Sequence, residues 1–246
     1  RFYEAALDCD RRPDRERPNG VWDLGSAEAA EMAKLAETTY RDVNIGLANQ
    51  FARFAEEAGI DVYQVIDASN SQPFSHIHRP GISVGGHCIP VYPRLYLSND
   101  PNATVVRTAR TSNAEMPAHA VARLAKTHGD LADVRVAVLG VTYRTGVKET
   151  AFSGAFDVVT ALESRQAIVT VVDPMYSAEE LQRLGFTPHS TGSLVDAIIV
   201  HTDHPEFQTI SREDFPGVCT VMDGRNMVKS VPSGVNLVTL GMPSAP

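Results

Sequence analysis

Four short apolar runs, rich in β-branched side chains, divide the second half of the chain and constrain its fold more than any other feature. They cover residues 134–140, 168–173, 197–202 and 219–223. Helical stretches lie between the first three, at about residues 154–165 and 177–184. Strands that alternate with helices form parallel sheets with helices packed on their faces. We therefore predict an α/β fold in which residues 131–246 form a Rossmann-like parallel α/β domain.

One long amphipathic helix dominates the first half of the chain. Ser26 can cap its start and Gly59 its end, and residues 8–25 before it have the composition of a loop. Its apolar residues recur at spacings of three, four or their sum: Met32, Leu35, Val43, Leu47, Phe51 and Phe54. This stripe is longer than one small domain needs to cover. We predict a core helix that also forms a two-fold homodimer interface, within a helical central domain of residues 1–130.

Two shorter helices complete this half. Asp61 can cap a helix that runs to about residue 69, and a further helix is predicted over about residues 114–128, before Gly129.

A loop rich in glycine and proline carries the most informative residue, Cys88. Residues 79–90 read Arg-Pro-Gly-Ile-Ser-Val-Gly-Gly-His-Cys-Ile-Pro, which suits neither a helix nor a strand interior. The backbone of such a loop, at Gly85 and Gly86 above all, can approach a ligand closely. Cys88 is either a buried structural thiol, as many free cysteines are, or a nucleophile whose thiolate is favoured by loop N–H groups and a nearby cation.

Composition and charge exclude several classes of protein. A formal net charge of −8 and a pI near 5.5 argue against general binding to nucleic acid or to an anionic membrane. No apolar run approaches the length needed to span a bilayer.

The cysteines lie far apart in dissimilar contexts: Cys9, Cys88 and Cys219. This pattern is no disulfide framework, so a cytoplasmic protein is expected. Histidines 76, 78 and 87 match no zinc spacing, and no metal is expected.

The sequence around Cys88 resembles a known motif. Gly-Gly-His-Cys-Ile-Pro at residues 85–90 is similar to the active-site motif of the UDP-glucose/GDP-mannose dehydrogenase family. Residues 30–35 and 41–45 resemble the family's central dimerisation helix, and residues 173–174, 202–207 and 223–226 resemble its C-terminal nucleotide-sugar domain. The similarity covers nearly the whole chain. It is strongest to members that act on UDP-N-acetylhexosamines such as UDP-N-acetylmannosamine or UDP-N-acetylglucosamine.

The resemblance implies a mechanism for this chain. The family oxidises the C6 alcohol of a sugar nucleotide to a carboxylate in two NAD-dependent steps. Hydride leaves C6 to give an aldehyde, Cys88 adds to form a thiohemiacetal, a second hydride leaves to give a thioester, and water hydrolyses it. Lys34 would stabilise the oxyanions at C6, a role that needs a cation on a rigid element. Without the motif, Lys34 is a solvated helix lysine.

Four further residues match family positions that contact the substrate or, for Arg225, the substrate or the cofactor. Arg79 lies on the approach to the cysteine loop, and Arg225 follows the strand that ends at residue 223. Tyr143 and Arg144 follow the strand at residues 134–140 and match an aromatic-basic pair that contacts the nucleotide sugar. A guanidinium suits phosphate recognition, but a surface salt bridge is the alternative for each arginine.

Three positions depart from the family pattern. Tyr92 stands where an aspartate is usual, four residues after Cys88, and a tyrosine hydroxyl does not replace a carboxylate base at neutral pH. Thr38 stands where an asparagine is usual, and as the i+4 neighbour of Lys34 it can present a hydroxyl beside it. Ala151 stands where many members have an arginine that touches the cofactor.

No Gly-x-Gly-x-x-Gly fingerprint follows any predicted strand. Because the chain also begins at Arg1 rather than at a methionine, we expect the NAD-binding domain to lie upstream and this chain alone to be inactive. Two alternatives remain: a sugar-nucleotide-binding and dimerisation module without catalysis, and a cysteine hydrolase unrelated to NAD. The second would need a histidine base for Cys88, and the adjacent His87 is poorly placed for it.

Overall fold

The computed structural model describes residues 2–7 and 20–243. Cys9 and residues 8–19 of the predicted loop lie outside this range, and residues 20–25 have no regular secondary structure. The helices within the described residues are α1 (Phe2–Ala6), α2 (Ala27–Ala58), α3 (Val62–Asn70), α4 (Tyr92–Asn99), α5 (Thr104–Ala114), α6 (Met116–His128), α7 (Ala155–Glu163) and α8 (Ala178–Arg183). A short 3₁₀ turn spans Pro205–Gln208.

The second half forms a five-stranded, wholly parallel sheet in the order β2-β1-β3-β4-β5. The strands are β1 (Arg135–Leu139), β2 (Ile168–Val172), β3 (Ala197–Val200), β4 (Thr220–Asp223) and β5 (Asn236–Thr239). The chain passes from β1 to β2 on one side and then crosses to β3 on the other, so the strand order reverses between β1 and β3. This is the switch point at which α/β folds place their ligands. The predicted parallel α/β fold is confirmed.

Alternate residues of each strand face two separate cores. On one face, residues such as Val138, Ile199 and Met222 pack with α6 and α7. On the other, residues such as Ile198 and Val221 pack with side chains of the segments that join β3 to β4 and β4 to β5. Because α6 supplies buried side chains to the first core, this helix packs beneath the sheet. The domain boundary near residue 130 stays a prediction.

Helix α2 is present as predicted, with the Ser26 hydroxyl accepting from the Ala29 N–H and Gly59 ending it at φ 70°. However, its apolar stripe does not lie in the core: Leu47 is 45% exposed and Phe54 67% exposed. The buried face of α2 is instead small and polar, and it carries Asp42, Asn49 and Glu56 at a spacing of seven. The prediction of a buried apolar stripe is therefore wrong for the single chain.

Asp42, Asn49 and Glu56 each bond another part of the chain. Asp42 accepts from Arg110 and Asn113 of α5, at 2.6 and 2.8 Å. Glu56 contacts His119 Nε2 at 2.7 Å and accepts the N–H of Gly241 at 2.7 Å. Burial raises the pKa of Asp42, and the Arg110 guanidinium opposes this rise. These bonds join α2 to α5, to α6 and to the segment after β5.

Helices α3, α6, α7 and α8 confirm the predicted helices within a few residues at each end. Helices α1, α4 and α5 and strand β5 were not predicted. Within the described residues, no helix is both long enough and apolar enough to cross a membrane.

Candidate active site

The Cys88 loop lies on the edge of the sheet where the strands end. Its Ile82 N–H donates to the Gly224 carbonyl, just after β4, at 3.1 Å, and the Ile82 side chain is fully buried in the sheet core. Its Gly86 N–H donates to the Ala151 carbonyl at 2.8 Å. Because parallel strands all end at one edge, the loop faces the turns after β1, β3 and β4 together.

The Gly85-Gly86 pair lets Tyr143 approach the loop backbone. A Cβ added to Gly85 would lie 2.6 Å from Tyr143 Cβ and 3.0 Å from the Phe152 carbonyl. One added to Gly86, which has φ +92°, would lie 3.1 Å from a Tyr143 ring carbon. The structure therefore brings together Gly85, Gly86 and Tyr143, three of the predicted substrate residues. The contact with Tyr143 requires glycine at positions 85 and 86.

Arg225 is held against the same loop. Its Nε donates to the His201 carbonyl at 2.7 Å, and its Nη2 lies 3.4 Å from the Ser83 hydroxyl. The Ser83 hydroxyl is in turn 2.9 Å from His201 Nε2. Burial lowers the pKa of His201 to about 3, so its ring is neutral near pH 7.

Cys88 lies in the turn that leads into α4, and its side chain is half-buried. Its carbonyl accepts the N–H groups of Val91 at 3.2 Å and Tyr92 at 2.9 Å. Tyr92, the first residue of α4, has the Lys34 ammonium over its ring, with Nζ 5.5 Å from the ring centroid. The predicted lysine of α2 thus reaches the start of the helix that follows the cysteine.

The other contacts of this lysine lie within its own helix. Lys34 Nζ is 3.3 Å from a carboxylate oxygen of Glu37, which also pairs with Arg41 at 2.6 Å. Thr38 is fully buried, and its hydroxyl donates to the Lys34 carbonyl at 2.8 Å. The hydrogen of the Thr38 hydroxyl is therefore directed into the helix backbone.

Of the other predicted arginines, Arg79 bonds outside this cluster and Arg144 is exposed beside Tyr143. Arg79 pairs with Asp67 of α3 at 2.5 Å and stacks over the Tyr63 ring at 5.6 Å from its centroid. The structure thus gives Arg79 the salt bridge named above as its alternative. Arg144 is exposed and has no ion-pair partner in the part of the chain that the structure describes. Its guanidinium is free to meet a ligand beside Tyr143.

The histidine next to Cys88 points to the turn after β1. His87 Nε2 is 3.6 Å from a carboxylate oxygen of Glu149, and both side chains are largely exposed. The other oxygen of Glu149 accepts the N–H groups of Thr150 and Ala151. Across residues 2–7 and 20–243, no three His, Cys, Asp or Glu side chains form a group that could hold a metal ion.

The described residues do not fit NAD at the switch point. Ser83 and His201 meet there, and a Cβ added to Gly140 would lie 2.3 Å from Thr202 Cβ. Together with the missing glycine fingerprint, this packing leaves no backbone cradle for a dinucleotide pyrophosphate.

The sequence did not mark Ser83, Asn49 or His201 as parts of the site. Asn49 of α2 accepts the Gly81 N–H at 2.9 Å, so it holds the start of the cysteine loop. The spacing of seven between Asp42, Asn49 and Glu56 is the one signal that could have marked it.

Two family models match this chain. The central domain of the UDP-glucose/GDP-mannose dehydrogenase family matches residues 28–115, and the UDP binding domain of that family matches residues 137–230. The chain belongs to the UDP-glucose/GDP-mannose dehydrogenase family. The resemblance stated from the sequence is thereby confirmed.

Individual members of the family agree with this assignment. The UDP-N-acetyl-D-mannosamine dehydrogenase of Pyrococcus horikoshii is 38% identical over 86% of this chain and 51% of the relative. That of Methanocaldococcus jannaschii is 36% identical over 83% and 49%. The solved structure of the Pyrococcus protein superposes with a TM-score of 0.76 and 36% identity, covering 88% of this chain and 52% of the other. The chain thus spans about half the length of the family members it matches.

Proposed function

We propose that this chain is the substrate-binding and cysteine-bearing part of a nucleotide-sugar 6-dehydrogenase. The activity is oxidation of the C6 alcohol of a UDP-sugar to the uronic acid, with Cys88 as the covalent nucleophile. The observation that carries the proposal is the position of the Cys88 loop. It lies at the carboxyl ends of the strands, with Tyr143 and Arg225 against it and Lys34 reaching the start of α4.

The chain's own residues supply the chemistry at C6 other than hydride removal. The Cys88 thiolate adds to the C6 aldehyde, and the resulting oxyanion takes a proton to give the thiohemiacetal. After the second oxidation, water adds to the thioester carbonyl, the Cys88 thiolate leaves, and the carboxylate is released. Both additions place negative charge on an oxygen, which the Lys34 ammonium stabilises from α2.

The two oxidations need a nicotinamide cofactor that accepts hydride. In this proposal, NAD is bound by a domain outside this chain, because the described residues do not fit it. The chain's contribution is to bind the sugar nucleotide and to hold the aldehyde covalently, so that it does not escape between the two steps.

For the substrate, we propose a UDP-N-acetylhexosamine. The matched relatives from Pyrococcus and Methanocaldococcus are UDP-N-acetyl-D-mannosamine dehydrogenases, and the C-terminal half matches a UDP binding domain. Arg144 and Tyr143 supply a free guanidinium and an aromatic ring at the end of β1, where a diphosphate and a sugar can be bound.

A panel of sugar nucleotides tests this proposal. The full-length protein is incubated with NAD and, separately, with UDP-N-acetylmannosamine, UDP-N-acetylglucosamine and UDP-glucose, while NADH formation is followed. We expect two NADH per sugar and a preference for an N-acetylated substrate. UDP-sugar binding with no NADH from any of them would support a binding and dimerisation module instead.

We also propose that the protein is a homodimer through α2. The exposed large side chains on one side of this helix include Met32, Tyr40, Leu47, Phe51 and Phe54. Large apolar side chains exposed along one face of a helix mark an interface, and under two-fold symmetry the same face of a second copy packs against it.

A further inference from the structure

Ser83 lies five residues before Cys88, and its hydroxyl is buried where three strands end. It is 2.9 Å from Nε2 of His201, which follows β3, and 3.4 Å from Nη2 of Arg225, which follows β4. His201 Nδ1 is 3.1 Å from the carbonyl of Gly140, which follows β1. His201 is fully buried and Ser83 is 8% exposed.

The bonding pattern fixes the direction of each hydrogen bond. The Gly140 carbonyl can only accept, and the Thr202 hydroxyl, 3.0 Å from His201 Nδ1, gives its hydrogen to the Thr142 carbonyl. His201 Nδ1 therefore carries the hydrogen and donates it to these two oxygens. In the neutral ring, Nε2 is then an acceptor, and the Ser83 hydroxyl donates to it. The Ser83 oxygen remains free to accept from Arg225. In this arrangement the Ser83 hydroxyl and both ring nitrogens of His201 have hydrogen-bond partners. A buried polar network adds rigidity when its members are satisfied in this way.

We propose that Ser83 and His201 are positioning residues that hold the Cys88 loop on the sheet, so that the thiol keeps a fixed place relative to Lys34. This inference rests on the proposed role of Cys88 as nucleophile. The other side of the loop is held by α2 itself, because Asn49 accepts the Gly81 N–H at 2.9 Å. Asn49 and Lys34 belong to the same rigid helix, so the two anchors tie the loop both to the sheet and to the lysine.

Arg225 belongs to the same anchor. Its Nε and Nη2 are directed at the His201 carbonyl and at Ser83, and a Cβ on Gly81 would lie 2.9 Å from its Nη1. The Arg225 guanidinium thus contacts the loop at Ser83 and Gly81, whether or not it also binds the substrate.

Two pairs of variants test the anchor in the full-length protein. Ser83→Ala removes the hydroxyl, and His201→Leu removes the acceptor. His201→Gln keeps an acceptor oxygen near the position of Nε2 and is the conservative replacement. Thr220→Val is the matched control, because Thr220 is a buried hydroxyl 3.1 Å from His128 Nδ1 at the opposite end of the sheet.

Two measurements are compared: the rate at which iodoacetamide labels the Cys88 peptide, read by mass, and the kinetics of NADH formation. For Ser83→Ala and His201→Leu, we expect labelling to rise about threefold or more, because a released loop exposes the thiol. We expect kcat to fall about tenfold with KM within about twofold, because the thiol is displaced while binding is retained. His201→Gln should stay near the wild type, as should Thr220→Val.

Labelling rates of Ser83→Ala and His201→Leu equal to that of Thr220→Val would overturn the inference. If Ser83→Ala does not fold, the contrast between His201→Gln and His201→Leu decides in its place. A wild-type protein that makes no NADH would contradict the proposed function alone, since the labelling comparison needs no turnover.

Discussion

The ammonium group of Lys34 lies over the ring of Tyr92, with Nζ 5.5 Å from the ring centroid. This contact joins α2 to the first residue of α4, whose N–H is bonded to the Cys88 carbonyl. An aromatic face attracts a cation through its ring, and the attraction does not require the hydroxyl. Tyr92 can therefore orient the lysine without acting as a base.

Replacement of Tyr92 separates these two roles. Tyr92→Phe keeps the ring, so we expect kcat/KM in the full-length enzyme within about twofold of the wild type. Tyr92→Ala removes the ring, and the loss of a cation–π contact worth about 0.5–1 kcal/mol should lower kcat/KM about two- to fivefold. A Tyr92→Phe enzyme as slow as Tyr92→Ala would show that the hydroxyl takes part in the reaction.

Gly85→Ala tests the contact between the loop and Tyr143. The added methyl group would lie 2.6 Å from Tyr143 Cβ, so the loop or the turn after β1 must shift. We expect a loss of about 1–3 kcal/mol in the free energy of unfolding and weaker UDP-sugar binding by calorimetry. The wild type is the reference, because each glycine with open space around its Cβ position has a positive φ that would itself strain an alanine. A UDP-sugar affinity of Gly85→Ala equal to that of the wild type would refute the contact's role.

The exposed stripe of α2 predicts the oligomeric state. Leu47→Glu places a charge in the proposed two-fold interface, so it should convert the dimer to a monomer in sedimentation at micromolar concentration. Leu194→Glu is the matched control, since Leu194 is 58% exposed and lies outside α2. A wild-type protein that sediments as a monomer would contradict the interface outright.

His201 predicts a pH dependence of stability. Burial lowers its pKa from 6.5 to about 3. As pH falls, the imidazole of His201 therefore takes up a proton in the unfolded chain before it does so in the folded chain. The stability from the neutral ring is therefore present above pH 6.5 and is lost as pH falls toward 3, by up to about 1.4 kcal/mol per pH unit. Urea unfolding of the wild type and of His201→Gln at pH 7, 6 and 5 should give a stability difference that narrows with acidity. A constant difference would show that the ring does not titrate in this way.

The sheet and its helices were predictable because their signals are local. A short β-branched run, an N-cap such as Ser26 or Asp61 and the 3.6-residue period of a helix can each be read from a few neighbouring residues. Strand β5 was missed because only two of its four residues are buried, whereas all four are buried in β3 and in β4. Helix α5 was missed because it buries only Val106, Ala109 and Asn113.

The anchors of the cysteine loop could not be predicted in the same way. Ser83 and His201 are 118 residues apart, and Asn49 and Gly81 are 32 apart. Nothing in the sequence alone pairs them, because the pairing follows from the edge of the sheet on which the loop packs. The burial of α2 was also misjudged, since an apolar stripe marks a covered face without saying whether the same chain covers it.

The most direct measurement is the reaction of Cys88→Ala in the full-length protein, with UDP-N-acetylmannosamine and NAD as substrates. We expect no uronic acid from this variant, together with UDP affinity by calorimetry within about twofold of the wild type, because only the covalent step is removed. Uronic acid formed by Cys88→Ala at the wild-type rate would contradict the account.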